Sequence, residues 1–518
     1  MSGKKSNWLI PSIPTIIYIC ILFILCGKVG QVLLRDGDTG YHIRAGEFIL
    51  DHLSLPTLDI YSYITPQLNW TMHEWLAEVI MACIYRVGGL TGIVVFFAML
   101  IAGTYAIFCR LLSRHGINIL LAAFTTVLVF KASLIHWLAR PHIFSALIMV
   151  IWYYILDNFQ YHNHNRLAAL PLLMLLWVNL HGGFIIGFVL LGIYLIGDFL
   201  NCHFNGQDAS SWYRNKGRLY LRTILLCCAT AVINPFTWRI FLFPFSIDSL
   251  LLDRVTEFLS PDFHYEIVFK FLLLGMLALV AIVPKRFHPI ELFILLFFTN
   301  MGLQAYRFIP LYAMFVFPIL ARRCDASLLA SFPRISSFLE RQGSIAATMD
   351  RQSRGIVHFI VVSLLVVVLS WQGTIHFTFD PQFLPVTAIE FLVKEPVKGN
   401  MFNNDAFGDL LIFMAHNRYK VFIDGRLDMY GSRHVKVYDT IMSFEPGWEA
   451  VLARYGITWF FITTNTPLAR HLAVLPSWHL IYSDKVASIF LKNGPEYQTL
   501  IDKYPHVQLA QIKSDQDS

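Results

Sequence analysis

Apolar runs long enough, or nearly long enough, to cross about 30 Å of hydrocarbon at about 1.5 Å per residue recur along this chain. They fall at 13–34, 89–109, 118–135, 143–158, 167–180, 183–201, 219–234, 268–284, 289–303, 306–321 and 355–371, about eleven in all. With 56% hydrophobic and only 14% charged residues in 518, a water-soluble fold would leave much of this surface exposed and would aggregate. The chain therefore reads as an α-helical polytopic membrane protein. Its first run has no small-residue cleavage site and leads straight into an acidic segment, so it is expected to stay as a helix.

Orientation follows from Lys and Arg in the short loops. Lys4 and Lys5 precede the first run. Alternate crossing gives the same side Arg110, Arg114, Arg166, Arg214, Lys216, Arg218, Arg222, Lys285, Arg286 and the basic stretch from Arg322 to Arg354. That side is expected to be cytoplasmic, and an odd number of spans places everything after residue 371 outside. The net charge of +6 then reflects membrane topology and is not a nucleic-acid signal.

Residues 1–371 form the expected membrane domain. Within it, residues 35–88 make a first outer loop with two amphipathic helical faces, Tyr41, Ile43, Ala45, Phe48 and Ile49 in one and Trp75, Leu76, Val79, Ile80 and Ile84 in the other. Both are expected to lie along the interface. Residues 235–267 form a second outer loop, rich in Phe and Pro and ending in Asp253, Glu257, Asp262, His264, Tyr265 and Glu266, suited to cover a site. Residues 372–518 are less hydrophobic and read as a small outer α/β domain. Lys420–Ile423 and Trp459–Thr463 are its predicted strands, and 385–394 and 446–455 its predicted helices. The eight cysteines lie in or beside apolar runs or on the cytoplasmic side, and give no disulfide or metal-ligand pattern.

The polar clusters gather at one end of the runs: Asp36-Gly37-Asp38, His73-Glu74-Trp75, Arg140-Pro141-His142, Asn179-Leu180-His181, Asn234-Pro235 and Arg307. Such one-sidedness points to chemistry at one membrane face. A carboxylate at the interface can take a proton from a hydroxyl or bind a divalent cation, Mg or Mn. Asp36, Asp38 and Glu74 are the candidates, and a solvated acidic loop is the bland alternative. His73, His136 and His142 match no compact metal-ligand spacing.

The order of these strings carries a resemblance. A first span, then Asp-Gly-Asp-Thr-Gly-Tyr-His-Ile-Arg-Ala-Gly, then Leu-Pro-Thr-Leu-Asp-Ile-Tyr-Ser-Tyr, then His-Glu-Trp-Leu-Ala-Glu-Val and Gly-Gly-Leu-Thr-Gly resembles the GT-C superfamily. These are integral-membrane glycosyltransferases that use polyprenyl-phosphate-linked sugars. The chain is similar in particular to uncharacterised bacterial multi-spanning proteins related to the aminoarabinose and protein-mannosyl transferases. The likeness is strongest over the first hundred residues. It departs in two places: Gly37-Asp38 replaces adjacent acidic residues, which makes Asp38 the better base than Asp36, and His73-Glu74-Trp75 lacks the transferases' lysine.

The resemblance implies transfer of a sugar from a polyprenyl-phosphate donor to a lipid, glycan or protein acceptor at the outer face of a bacterial inner membrane. Inverting transfer needs a base for the acceptor proton and cations for the departing phosphate. Asp38 would supply the first. Arg140, His142, His181 and Arg307 are the donor phosphate candidates, while either arginine taken alone reads first as an interfacial anchor. Gly182-Gly183 beside His181 suits either backbone approach to an anion or a tight turn. In the tail, Asp424, Arg426 and Asp428 alternate along a predicted strand end, where they would meet an acceptor, cover the site or close an internal salt bridge. A glycan ligase or polymerase, a transporter and a non-enzymatic envelope assembly protein are the competing readings.

Overall fold

The computed structural model describes residues 10–246, 254–282, 286–324, 333–353 and 355–511. Lys4, Lys5, Asp253, Lys285, Arg354 and residues 325–332 of the basic stretch lie outside the described residues. A helix covers each of the eleven apolar runs in whole or in part. Four are long and apolar enough by themselves to cross a membrane: Trp75–Arg114, Ile119–His136, His142–His162 and Gly182–Phe204. A bent pair, Ile13–Cys26 with Lys28–Leu34, makes a fifth when counted as one span. The other apolar helices are shorter, so length and composition alone carry four or five spans of the expected eleven.

Helix α1 (Ile13–Cys26) starts on Ser12, whose hydroxyl accepts from the Thr15 N–H, a side-chain cap for an otherwise orphan donor. At Gly27 the chain turns by 73° into Lys28–Leu34, and this bend delivers residues 35–38 to one end of the bundle. Helix α2 (Asp38–His52) buries Ile43 and Ala45 as its periodicity predicts. The second expected helix forms the first part of α3 (Trp75–Arg114) and is set off from the apolar run that follows by a break at Gly89, where φ is +59°. Only glycine adopts that conformation without strain, so the chain changes direction there as it enters the bundle.

In the outer domain, strands β1 (Asn400–Asn403), β2 (Ile457–Thr463), β3 (Trp478–Ser483) and β4 (Ala487–Lys492) form one sheet in the order β1-β2-β4-β3. β1 and β2 are parallel and the other pairings antiparallel. The period of two in β2 sorts its side chains. Trp459 and Phe461 join the core that runs on into the membrane domain, whereas Phe460 and Ile462 pack with Leu452, Leu468 and Leu472 in a second core. The sheet is thus covered by helices on both faces, which is why the whole of 459–462 is apolar.

Two expectations fail here. Lys420–Ile423 is not a sheet strand: Val421 makes a single parallel bridge to Ser62 of the first outer loop, and the Asn403 side chain accepts the Phe422 N–H, which ends any ladder. Nor do Asp424, Arg426 and Asp428 share a strand face. The chain turns at Gly425, and Asp428 lies in the first turn of the helix Leu427–Met442.

Candidate active site

Three parts of the chain meet at Asp38, and the absence of side chains at the crossing points is what lets them. Gly37 and Gly40 leave one face of α2 bare, so the outer-domain helix Asp405–Ala415 lies directly on it. A Cβ at Gly40 would stand 2.6 Å from the Phe413 Cβ, and one at Gly37 would stand 2.9 Å from the Asp409 Cβ. This contact delivers Asp409 to Asp38. Gly425 closes the third side, because a Cβ there would lie 2.9 Å from an oxygen of each carboxyl group.

The Gly425 N–H donates to Asp409 Oδ1 at 2.9 Å. Asp409 Oδ2 is buried with no N–H or O–H donor among the described residues, and Asp409 is hydrogen-bonded to Asp38. Two carboxyl groups can do this only through a proton. Burial raises Asp38 to about 6 against the opposing pull of Arg140. Burial, reinforced by the Asp38 charge, holds Asp409 well above the usual carboxylate range. Asp409 therefore keeps the proton at neutral pH and donates it toward Asp38, which stays a carboxylate. The Asp38 side chain is 22% exposed, so a reactant can reach it.

Arg140 supplies the counter-charge. Its segment is pinned from both sides, the Ala139 N–H donating to Leu33 O at 2.9 Å and the Thr39 hydroxyl to Ala139 O at 3.2 Å. The guanidinium donates to Asp36 through Nε at 3.2 Å and again through Nη2. It also lies 3.0 Å from Asp38 and 3.7 Å from Glu257. Arg140 thus sits among carboxylates, where a metal ion would otherwise be placed. Among the described residues no three His, Cys, Asp or Glu form a metal-holding group.

Glu74 occupies a second cluster. Its carboxylate lies 3.5 Å from His181 Nε2 and 3.7 Å from both His73 and His42. Burial raises its pKa, with His73 opposing. His181 Nδ1 accepts the Gly183 N–H at 2.9 Å, which puts the ring proton on Nε2, facing Glu74. The glycine pair therefore serves the turn and leaves no free N–H at Gly183 for an anion. His42 is kept neutral by its burial and by nearby Arg140.

Beneath these clusters, between helices, is a cavity of about 120 Å³ whose wall includes Ile143, Met149, Leu311, His142, His181 and Arg307. Its lining is largely apolar and includes one arginine and three histidines, His136, His142 and His181. The Arg307 guanidinium rests on the Phe258 ring at 4.4 Å, and His142 Nε2 hydrogen-bonds His136 O at 2.8 Å. Three of the four residues singled out for phosphate thus line one cavity, and the fourth, Arg140, faces Asp38.

The tail residues separate. Arg426 donates to both oxygens of Asp424, at 2.8 and 2.6 Å, and to Asp59 at 2.9 Å, all of them buried. It is a clamp that fastens the outer domain to the first outer loop. Asp428 stands near His73, which lowers its burial-raised pKa. Sequence reasoning missed Asp409, Glu257 as a partner of Arg140, and His42. The signal for Asp409 was there: a lone carboxylate in the run Phe407-Gly408-Asp409-Leu410-Leu411 has no reason to be buried unless it has a partner.

No protein-family model matches this chain, and no curated protein matches it. Solved structures do. The apo oligosaccharyltransferase of Archaeoglobus fulgidus superposes with a TM-score of 0.55 at 13% identity, over 93% of this chain and 74% of that one. The same organism's oligosaccharyltransferase AglB, in complex with an inhibitory peptide and a dolichol-phosphate, gives 0.55 at 11% over 92% and 74%. Its form tethered to an acceptor peptide gives 0.53 at 12% over 92% and 74%. At these identities the likeness is one of fold.

Proposed function

We propose that this protein is a membrane glycosyltransferase that moves a sugar from a polyprenyl-phosphate-linked donor to a lipid, glycan or protein acceptor at the outer face of a bacterial inner membrane. One observation carries the reading: an accessible carboxylate with a raised pKa, Asp38, faces Arg140, which lies within electrostatic reach of Arg307 in the wall of a largely apolar cavity. A polyprenyl chain fits an apolar wall, and its phosphate fits the Arg307 guanidinium. That the archaeal neighbour of the same fold is described with dolichol-phosphate and with acceptor peptides supports the donor class and adds weight to a protein acceptor. In this reading all eleven apolar helices span the membrane, the shorter ones tilted or shared with the interface. The amino terminus is cytoplasmic and residues 372–518 are periplasmic.

The acceptor hydroxyl or amide attacks the anomeric carbon from the face opposite the phosphate. Asp38 takes the acceptor proton as that bond forms. The bond from the anomeric carbon to the phosphate oxygen breaks, and its electron pair leaves on the phosphate, where Arg307 and His181 stabilise the charge. Inversion follows from a single displacement. Arg140 and the proton of Asp409 both hold Asp38 ionised, so Arg140 acts on the base and not on the donor.

Native mass spectrometry of the purified protein tests the donor site. The wild-type chain is expected to carry a polyprenyl-phosphate lipid, with less or none on Arg307→Ala. A wild-type protein free of such lipid after addition of undecaprenyl phosphate would sink the donor assignment.

A further inference from the structure

Away from the carboxyl pair, where the first outer loop meets the outer domain, lies a groove of about 620 Å³. Tyr63, Lys398, Asn400, Arg418 and Lys420 line it, and no carboxylate does. Among the described residues neither lysine ammonium has an ion-pair partner, and both lysines are exposed. Arg418 spends one donor on Val393 O at 2.5 Å.

These cations are held in place by built backbone. Gly399 has φ +89°, and a Cβ on it would meet Thr458 Oγ1 at 2.3 Å, so only glycine fits there. The Trp459 indole donates to Gly399 O at 3.0 Å and the Tyr497 hydroxyl to Lys398 O at 2.6 Å. On the other side, the Tyr419 hydroxyl accepts the Val397 N–H at 3.1 Å and donates to Leu392 O at 2.9 Å. Three like charges fixed around one groove repel one another, and an anion relieves that repulsion.

The groove lies close to the site along the chain. Lys420 and Asp424 are four residues apart, at most about 14 Å of extended chain, and Gly425 touches both Asp38 and Asp409. A short oligosaccharide covers that distance. A single phosphate would fill a small part of the groove, whereas cations spread over Lys398, Arg418 and Lys420 match anionic groups repeated along a chain.

We propose that this groove binds an acidic oligosaccharide, the anionic stretch of an acceptor whose end is presented to Asp38. The proposal rests on the transferase reading above, and it is tested by binding, without transfer. Fluorescein-labelled tetragalacturonate is titrated against the full chain in uncharged detergent micelles, with maltotetraose and inorganic tripolyphosphate as competitors. The wild type is expected to bind it and to weaken as salt screens the charges, and the double variant Lys398→Gln/Lys420→Gln is expected to bind at least about tenfold more weakly. Asp38→Asn should bind like the wild type, which separates a failed groove from a failed catalytic assignment. No binding by the wild type, equal competition by maltotetraose, or an unchanged double variant would overturn the proposal. Displacement by tripolyphosphate at lower concentration than by unlabelled tetragalacturonate would overturn the oligosaccharide and leave a simple phosphate site.

Discussion

The helix bundle has a buried cluster of charges at each end, and the two are built differently. At the end away from the carboxy-terminal domain, three buried carboxylates, Asp157, Glu291 and Asp198, each face a cation. Asp157 pairs with His115 and Arg322, and Glu291 with Arg322 and Arg323. Asp198 receives Gln160, the Trp212 indole and Lys216. At the other end Asp36, Asp38 and Glu257 face Arg140, and Asp409, beside Asp38, has one carboxyl oxygen left for a shared proton. A saturated network holds helices together; an acid excess with a raised pKa stores proton-accepting capacity. The same residue types therefore do opposite work at the two ends.

That contrast breaks most sharply under one exchange. Asp38→Asn should lower transfer by about a hundredfold to ten-thousandfold, the range of a lost general base, with an unchanged melting temperature. Asp157→Asn should do the reverse, costing on the order of 3 kcal/mol by leaving buried cations uncompensated while transfer per folded molecule is kept. Activity assays and thermal melts of the two purified variants decide it, and the reverse pattern would refute the division of labour.

Next in size is the cavity wall. Arg307→Ala should raise the donor KM about tenfold to hundredfold, as expected for a charge-assisted phosphate contact. Arg254, which pairs with the 46%-exposed Asp439 and stacks on Tyr438, holds the second outer loop against the outer domain. Arg254→Ala should change the same KM within about threefold. Equal effects would remove Arg307 from the donor site.

The smallest effect is a pH shift. Transfer needs Asp38 ionised, so the rate should hold above about 6, the raised Asp38 value, and fall as pH drops through it. The Asp409 hydrogen bond lowers Asp38, so Asp409→Ala should move this acid limb to higher pH. Asp409→Asn keeps a donor in place and should leave the limb near its wild-type position. A limb that moves down in Asp409→Ala would mean that the shared proton sits the other way round.

Much of this was legible in the chain. Apolar runs located the helices because hydrocarbon demands internally bonded backbone, and α2 followed from the spacing of Ile43 and Ala45 with their neighbours. The Asp36–Asp38 string and the outer-end cations converge, as their shared sidedness implied. The partner of Asp409 was out of reach, because the pairing with Asp38 depends on the distant glycine face of Gly37 and Gly40 meeting the helix Asp405–Ala415, and chain spacing holds no trace of that. Arg140 was placed on the donor for a related reason: the sequence shows which cations share an end, but not which one a neighbouring carboxylate has already taken. The error at 424–428 is local. A period of two in Asp424, Arg426 and Asp428 looks like a strand, yet Gly425 turns the chain and starts a helix.

The central claim is that Asp38 is the base of an outer-face glycosyl transfer. Mass spectrometry of lipid-linked sugars and envelope glycans in cells lacking the protein, complemented with the wild-type chain or with Asp38→Asn at equal expression, tests it most directly. The account predicts that a polyprenyl-linked sugar accumulates, that one glycan modification disappears, and that only the wild type restores it. Full restoration by Asp38→Asn, or no change in any glycan, would contradict it.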